Sequence, residues 1–305
     1  SRVLDATGLL VSPGFIDIHT HSDGDILRYP TADSRVMQGV TTEITGNCGG
    51  SAAPRMPREE RVPTEEEEEA SGSVGEWTDV ASYFRLLQET GISLNHALLL
   101  GQGTLREMVA GEEDRELTSE EMATVLRMVE EGMDQGAIGV STGLEYVPGR
   151  FTPTEEIVAM ARVVARRGGL YASHIRNEES LLLEAVDAAA ERIGADRVGV
   201  RISPNGRFNG MPEEPEMEAT LLHLARELDR RAIAYLHLND QAAMGFSKPL
   251  EKTTEAVRLV STSARIFRLA VGRVFTSICI PSVMVNRSTS ASASTRTNSS
   301  TPSGG

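Results

Sequence analysis

Short apolar runs alternate along most of the chain with longer segments in which apolar residues recur every three or four positions. The short runs are rich in β-branched residues and predict strands, which lie at 15–19, 39–45, 96–100, 137–142, 170–174, 198–203 and 233–238. The longer segments have the period of amphipathic helices. This alternation is typical of a parallel sheet covered by helices. It predicts an α/β fold, namely an incomplete (β/α)₈ TIM-type barrel, with a doubly wound sheet as the second alternative.

Two of the predicted helices have recognisable ends. Thr118 and Glu121 have the spacing of a capping box, in which each side chain accepts a hydrogen bond from a free backbone N–H at the helix start. Gly136 is expected to close this helix. Thr152 and Pro153 predict the next helix start in the same way, with proline at the first helical position.

Composition narrows the choice of partners and compartment. The chain has 305 residues, of which 40% are hydrophobic, enough to fill a core. Its net charge of -14 argues against a nucleic-acid partner, because phosphate backbones are bound by clustered Lys and Arg. The sequence lacks an apolar stretch of membrane-spanning length and a secretory signal pattern, so no membrane partner is expected. Cys48 and Cys279 are too few for a disulfide scaffold, which indicates a reducing compartment and a cytoplasmic protein. Because the chain starts at Ser1 rather than Met, a fragment or a processed product is expected.

Two segments do not fit a barrel. Residues 54–76 combine prolines with five consecutive glutamates, whose mutual repulsion predicts a solvated loop. No carboxylate follows Glu255, and residues 286–305 contain eleven Ser or Thr, so we expect 244–305 to be a low-complexity, disordered tail. Within it, residues 266–280 are a candidate eighth strand with weak alternation. Read-through in another reading frame is our hypothesis for the missing carboxylates, and the DNA sequence would test it.

Four side chains that can bind metal fall at the predicted carboxyl ends of strands. His19 and His21 close the first strand and point the same way, because strand side chains alternate between faces. Cys48 follows the second strand and His174 ends the fifth. Taken separately, such a histidine pair is more often structural and a lone cysteine is more often a small buried apolar residue. Together they would lie on the rim that carries barrel active sites, and imidazole and thiolate both suit zinc.

Ordered blocks of the sequence resemble the N-acyl-D-amino-acid deacylases (D-aminoacylases) of the amidohydrolase superfamily. Over about residues 3–183 these blocks are VSPGFIDIHTHSD, QGVTTEITGNCGGSAAP, LLLGQGTLR, GAIGVSTGLEYVPG and YASHIRNE. The resemblance implies a hydrolase that cleaves the amide bond of small N-acyl-D-amino acids with one or two zinc ions. It also implies that His19, His21, Cys48 and His174 lie at the zinc centre.

The same resemblance makes further assignments. Tyr146 and Arg176 would lie near the substrate. Residues 1–10 would be a remnant of the small β-sandwich that the family builds outside its barrel, and residues 11–183 would form the partial barrel.

The sequence also departs from the family. The family has a later strand-end histidine and, near strand eight, an aspartate that binds metal and acts as general base, and neither has a counterpart in this sequence. The general base is therefore not identified, since Asp23, Asp25 and Glu178 are weak substitutes. Loss of a general base typically costs about 10²–10⁴ in rate, so impaired activity is expected.

Residues 184–243 resemble a different family, the Old Yellow Enzyme flavin reductases. The resemblance lies in GADRVGVRISPNGRFNGM and ELDRRAIAYLHLND, and it implies that Arg201 contacts a flavin such as FMN. Most strands that seat the flavin in that family are missing, so bound FMN is not expected. We interpret the chain as a join of two barrel parents within residues 180–194. The alternatives to a deacylase are therefore a flavin-dependent oxidoreductase fragment and an inactive chimera.

Overall fold

The structure is a computed structural model that describes six segments of the chain. These segments are residues 5–8, 11–60, 75–177, 181–202, 216–240 and 265–270. Glu178, most of the predicted acidic loop and most of the predicted tail lie outside the described residues. So do six of the ten residues assigned to a β-sandwich remnant.

Strands and helices alternate along the described segments. The strands are β1 (Phe15–Asp17), β2 (Val40–Thr45), β3 (Asn95–Gly101), β4 (Gly139–Gly143), β5 (Leu170–His174), β6 (Gly199–Ile202), β7 (Tyr235–Asp240) and β8 (Arg265–Ala270). The α-helices are α1 (Asp25–Arg28), α2 (Asp33–Val36), α3 (Val80–Thr90), α4 (Gln102–Ala110), α5 (Ser119–Asp134), α6 (Thr154–Arg166), α7 (Leu182–Ile193) and α8 (Met217–Arg230). Strand β8 overlaps residues 266–270 of the predicted eighth strand at 266–280, and the rest of that range lies outside the described residues.

The strands form two parallel sheets that follow chain order. Five strands are ordered β1-β2-β3-β4-β5, and three are ordered β6-β7-β8. Every pairing between neighbours in these sheets is parallel. A doubly wound sheet requires the strand order to reverse at a switch point, and the described strands show no such reversal. The arrangement is a mixed α/β fold compatible with a partial barrel.

The larger core lies between the five-stranded sheet and its helices. Leu98 and Leu100 of β3 are buried together with Val125 and Val129 of α5. A Cβ atom on Gly132 of α5 would lie 2.8 Å from the Leu100 methyls, so glycine there lets the helix approach the sheet. This packing buries the apolar stripe that the helical period predicts.

A second, smaller core accompanies the three-stranded sheet. Val186 of α7, Leu228 of α8 and Leu236 of β7 are buried in it. The helices α7 and α8 therefore cover β6 and β7 in the same way that α5 covers β3. None of the helices in the described segments combines the length and apolar character needed to cross a bilayer.

One of the two predicted helix starts is confirmed and the other is wrong. The Thr118 hydroxyl accepts from the Glu121 N–H and the Glu121 carboxylate accepts from the Thr118 N–H, so the capping box is present. Helix α6 instead begins at Thr154, and its N-cap Pro153 provides no side-chain cap. The Thr152 hydroxyl is buried and accepts a hydrogen bond from Gln102 Nε2 at 2.7 Å, which removes it from the helix end.

Candidate metal centre

His19 and His21 lie in a segment that leaves β1 but keeps its contact with β2. The His19 N–H donates to Asp17 Oδ1 at 3.2 Å, and the Thr20 N–H donates to the Ile44 carbonyl at 3.1 Å. The second bond continues the contact with β2 beyond the end of β1, and the first is local to the histidine segment. The two imidazole rings meet edge to face with their centres 5.3 Å apart.

Cys48 is presented by a tight turn after β2. Its φ angle is 54°, in the left-handed region that side chains other than glycine rarely adopt. The turn is held by Gly49, whose N–H donates to Ser141 Oγ at 3.0 Å and whose Cβ position would lie 2.6 Å from the Gly143 nitrogen. A side chain at position 49 is therefore excluded, and the backbone of β4 fixes the place of the thiol.

The turn brings the thiol to the two histidines. Cys48 Sγ lies 3.4 Å from His19 Nε2. One ligand atom from each of His19, His21 and Cys48 lies within 4.8 Å of the others. Among the described residues this is the group whose ligand atoms come close enough to share one ion.

His174 reaches the same group from the end of β5. Its imidazole, together with those of His19 and His21, lowers the pKa of the Cys48 thiol. Among the described residues, the group of ligand atoms within 4.8 Å of one another comprises His19, His21 and Cys48 and does not include His174. The Tyr146 hydroxyl lies 3.2 Å from His174 Nδ1, and Glu145 Oε2 lies 3.1 Å from His174 Nε2. His174 thus acts on the cluster through the electrostatics of Cys48, while its two ring nitrogens interact with Tyr146 and Glu145 on the loop after β4.

The electrostatics of the site favour a thiolate. Burial opposes ionisation of Cys48, but hydrogen bonds from His174, His19 and His21 outweigh it and lower the thiol pKa to about 4. Burial lowers the pKa of His19, whereas the bond to Cys48 raises the pKa of His21. A thiolate and neutral imidazole are the forms that bind metal, and a sulfur and nitrogen donor set suits zinc among the divalent ions. The donor set therefore fits a divalent metal.

The residues expected near the substrate take different positions. The Arg176 guanidinium donates to the backbone carbonyls of Arg150 and Thr152, the latter at 2.7 Å. Tyr146 is partly exposed, and its ring meets the His174 ring at 4.8 Å between centres. Tyr146 thus lies at the cluster, whereas Arg176 braces the loop that follows β4.

Arg201 lies on β6, in register with His237 of β7. Its guanidinium interacts electrostatically with Asp17 and Cys48, and burial lowers its pKa. The position that the second resemblance assigned to a flavin contact therefore faces the histidine and cysteine cluster.

Sequence reasoning missed several buried polar residues around the cluster. Asp17 shares the two-residue alternation of His19 and His21, which is a signal that could have revealed it. Glu43 is fully buried in β2, where a carboxylate in the middle of a predicted strand was the available signal. Of the acids considered as a base, Asp23 is buried, which raises its pKa, and Asp25 is exposed at the start of α1.

Comparison with known proteins supplies the family. The model of the amidohydrolase family matches residues 2–174, more than half of the chain. A D-aminoacylase from Alcaligenes xylosoxydans xylosoxydans is 35% identical over 231 residues, covering 76% of this chain and 47% of the relative. A putative 12-oxophytodienoate reductase from Oryza sativa subsp. japonica is 38% identical over 69 residues, which is 23% of this chain and 18% of the relative.

Solved structures agree with the first of these likenesses. The N-acyl-D-glutamate deacylase of Bordetella bronchiseptica, crystallised with zinc and a phosphonate inhibitor, is 31% identical with a TM-score of 0.55 and covers 75% of this chain and 47% of its own. The chain spans about half the length of the curated relatives it matches. The predicted resemblance to N-acyl-D-amino-acid deacylases is confirmed, and the chain belongs to the amidohydrolase family.

Proposed function

We propose that this chain uses zinc to hydrolyse the amide bond of small N-acyl-D-amino acids, with impaired turnover. The observation that carries the proposal is the approach of His19, His21 and Cys48 ligand atoms to within 4.8 Å of one another. The names of the relatives, a D-aminoacylase and an N-acyl-D-glutamate deacylase crystallised with zinc, support the substrate class and the metal.

The residues of the site have separable roles in this proposal. His19, His21 and Cys48 hold one ion. His174 would bind a second ion only after one of its ring nitrogens is released from Glu145 or from Tyr146. When bound, the metal polarises the substrate carbonyl and lowers the pKa of its water towards about 7. The Tyr146 hydroxyl, partly exposed beside His174, contacts the substrate, and Arg176 fixes the loop that carries Tyr146.

Impaired turnover follows from what the sequence lacks. After its fifth strand the family has a further strand-end histidine and, near strand eight, an aspartate that acts as general base. Neither residue has a counterpart in this sequence. Asp23 is buried and accepts from the Ala52 N–H at 3.2 Å, so its carboxylate is already engaged. Without a positioned base the chain binds metal and substrate but turns substrate over slowly.

Architecture and origin are part of the same proposal. We propose that residues 11–183 are an amidohydrolase half of a (β/α)₈ barrel and residues 184–243 are βα units of a reductase-like parent. Residues 1–10 would remain from a β-sandwich. The local likeness to a rice reductase supports the composite origin.

Metal content and hydrolysis measured on one preparation test this function. We expect about one zinc per purified chain, loss of that zinc in H19Q and C48S, and slow release of methionine from N-acetyl-D-methionine but not from the L isomer. Sub-stoichiometric zinc in the folded wild-type chain, or equal loading in H19Q and C48S, would overturn the metal assignment. Zinc near one equivalent with no D-specific hydrolysis would overturn the catalytic assignment alone.

Flavin binding is the second candidate, favoured by the reductase likeness over 69 residues. In it Arg201 would contact FMN. Flavin absorbance that stays with the protein through gel filtration, and that R201Q abolishes, would support this candidate.

A further inference from the structure

A buried group of charged side chains lies directly behind the histidine segment. Glu43 of β2 is fully buried, and its carboxylate interacts with three other side chains. Glu43 Oε2 lies 3.1 Å from Arg35 Nε and accepts from Ser22 Oγ at 2.8 Å, while Glu43 Oε1 lies 3.0 Å from His96 Nδ1. One carboxylate thereby joins α2, the histidine segment and β3.

This group of side chains is hydrogen-bonded to Thr20 and Ser22, the residues that flank His21. Ser22 Oγ donates to Glu43, so the 2.8 Å contact between Ser22 Oγ and Thr20 Oγ1 has Thr20 as the donor. Thr20 Oγ1 in turn accepts from the Ser22 N–H at 3.1 Å and from Arg35 Nη2 at 3.1 Å. The residues on both sides of His21 are therefore tied to the same ion pair.

A second branch of the network reaches the segment from helix α3. His96 Nε2 lies 3.1 Å from the Tyr83 hydroxyl, and that hydroxyl donates to the Asp23 carbonyl at 2.8 Å. Tyr83 and Glu43 are both fully buried. Strand β2, strand β3 and helix α3 thus hold residues 20–23 through side chains that solvent does not reach.

Such a network is not expected to contribute much to the free energy of unfolding. Removing charges from water costs about as much free energy as the pairing returns, so buried ion pairs often contribute little net stability. Polar partners behind a metal ligand, by contrast, fix its orientation, and their loss typically weakens metal binding about 10- to 100-fold. Ser22 donates to Glu43 directly, and Thr20 is joined to Glu43 through Ser22 and Arg35, so the network ends on the residues flanking His21, which matches the second use.

We propose that Glu43 is a positioning residue for the metal centre: by fixing Thr20 and Ser22 it orients His19 and His21 towards Cys48. This inference rests on the proposed metal function of the cluster. Glu43 does not contact the metal in this scheme. Its effect passes through Ser22 and Thr20.

Zinc affinity measured against a chelator on the full chain tests the inference. S22A removes the one direct hydrogen bond between the segment and the Glu43 carboxylate and keeps the ion pair, so we expect zinc binding to weaken about tenfold or more with little change in the melting temperature of the metal-free chain. E43Q should weaken zinc binding by at least as much. S22A decides the question if E43Q does not fold.

The matched control is another buried ion pair, which joins helices α4 and α6. Arg106 Nη1 lies 2.8 Å from Glu156 Oε2, and both side chains are buried away from the histidine segment. E156Q should lower the melting temperature and leave zinc affinity within twofold of wild type. Wild-type affinity in S22A, or equal weakening in E156Q, overturns the positioning role, whereas a wild-type chain that binds no zinc overturns the proposed function beneath it.

Discussion

The left-handed backbone of Cys48 is the local feature on which the candidate site depends. A cysteine at a φ angle of 54° costs backbone energy, and the structure shows what holds it there, namely Gly49 pressed against the backbone of β4. The result is a half-buried thiol with three imidazoles around it. Strained residues of this kind concentrate at functional sites, and the chemistry of Cys48 is the reason to expect one here.

Alkylation of the metal-free chain tests the electrostatics of Cys48. The thiol pKa is lowered to about 4, so the thiolate is already formed at neutral pH. In a C279S background, the rate with iodoacetamide should be nearly constant between about pH 6 and 8 and should fall on acidification towards about pH 4. A rate that climbs steadily up to about pH 8.5, as for an ordinary cysteine, would contradict the arrangement.

Sequence alone located the candidate ligands but not the residues that support them. The positions of His19, His21, Cys48 and His174 could be predicted because each follows an apolar run, and the structure gathers the ligand atoms of the first three within 4.8 Å of one another. The support from Glu43 could not be predicted. Its partners come from positions 22, 35 and 96, and no local pattern reveals that these side chains meet.

At the scale of elements, the periodic pattern of the sequence predicted the strands and their order along the chain accurately. Strand β5 matches its predicted bounds, and most of the other strands shift by one or two residues at their ends. Prediction failed where tertiary contact decided the outcome. Threonine is a common N-cap residue, but the Thr152 hydroxyl accepts a hydrogen bond from Gln102 of helix α4 instead of capping helix α6.

The cap that did form should have a measurable energy. T118A removes a hydroxyl that accepts from the Glu121 N–H, so the free energy of unfolding should fall by about 1 kcal/mol in urea denaturation. T124A, the same change within helix α5, is the control, because the Thr124 hydroxyl bonds back to the Glu120 carbonyl and caps nothing. Equal effects of T118A and T124A would show that the capping box contributes nothing.

At the scale of the whole molecule, the two parallel sheets contribute unequally to the site. The five-stranded sheet provides every predicted metal ligand, at the ends of β1, β2 and β5. The three-stranded sheet adds Arg201, whose guanidinium interacts electrostatically with Asp17 and Cys48.

The central claim is that one ion is bound by imidazoles and a thiolate from separate strands. X-ray absorption of the zinc-loaded chain tests it most directly, because sulfur and nitrogen scatter at different distances. We predict one sulfur at about 2.3 Å and two or three nitrogens at about 2.0–2.1 Å, with the sulfur shell lost in C48S. A zinc ion surrounded only by oxygen and nitrogen in the wild-type chain would contradict the account.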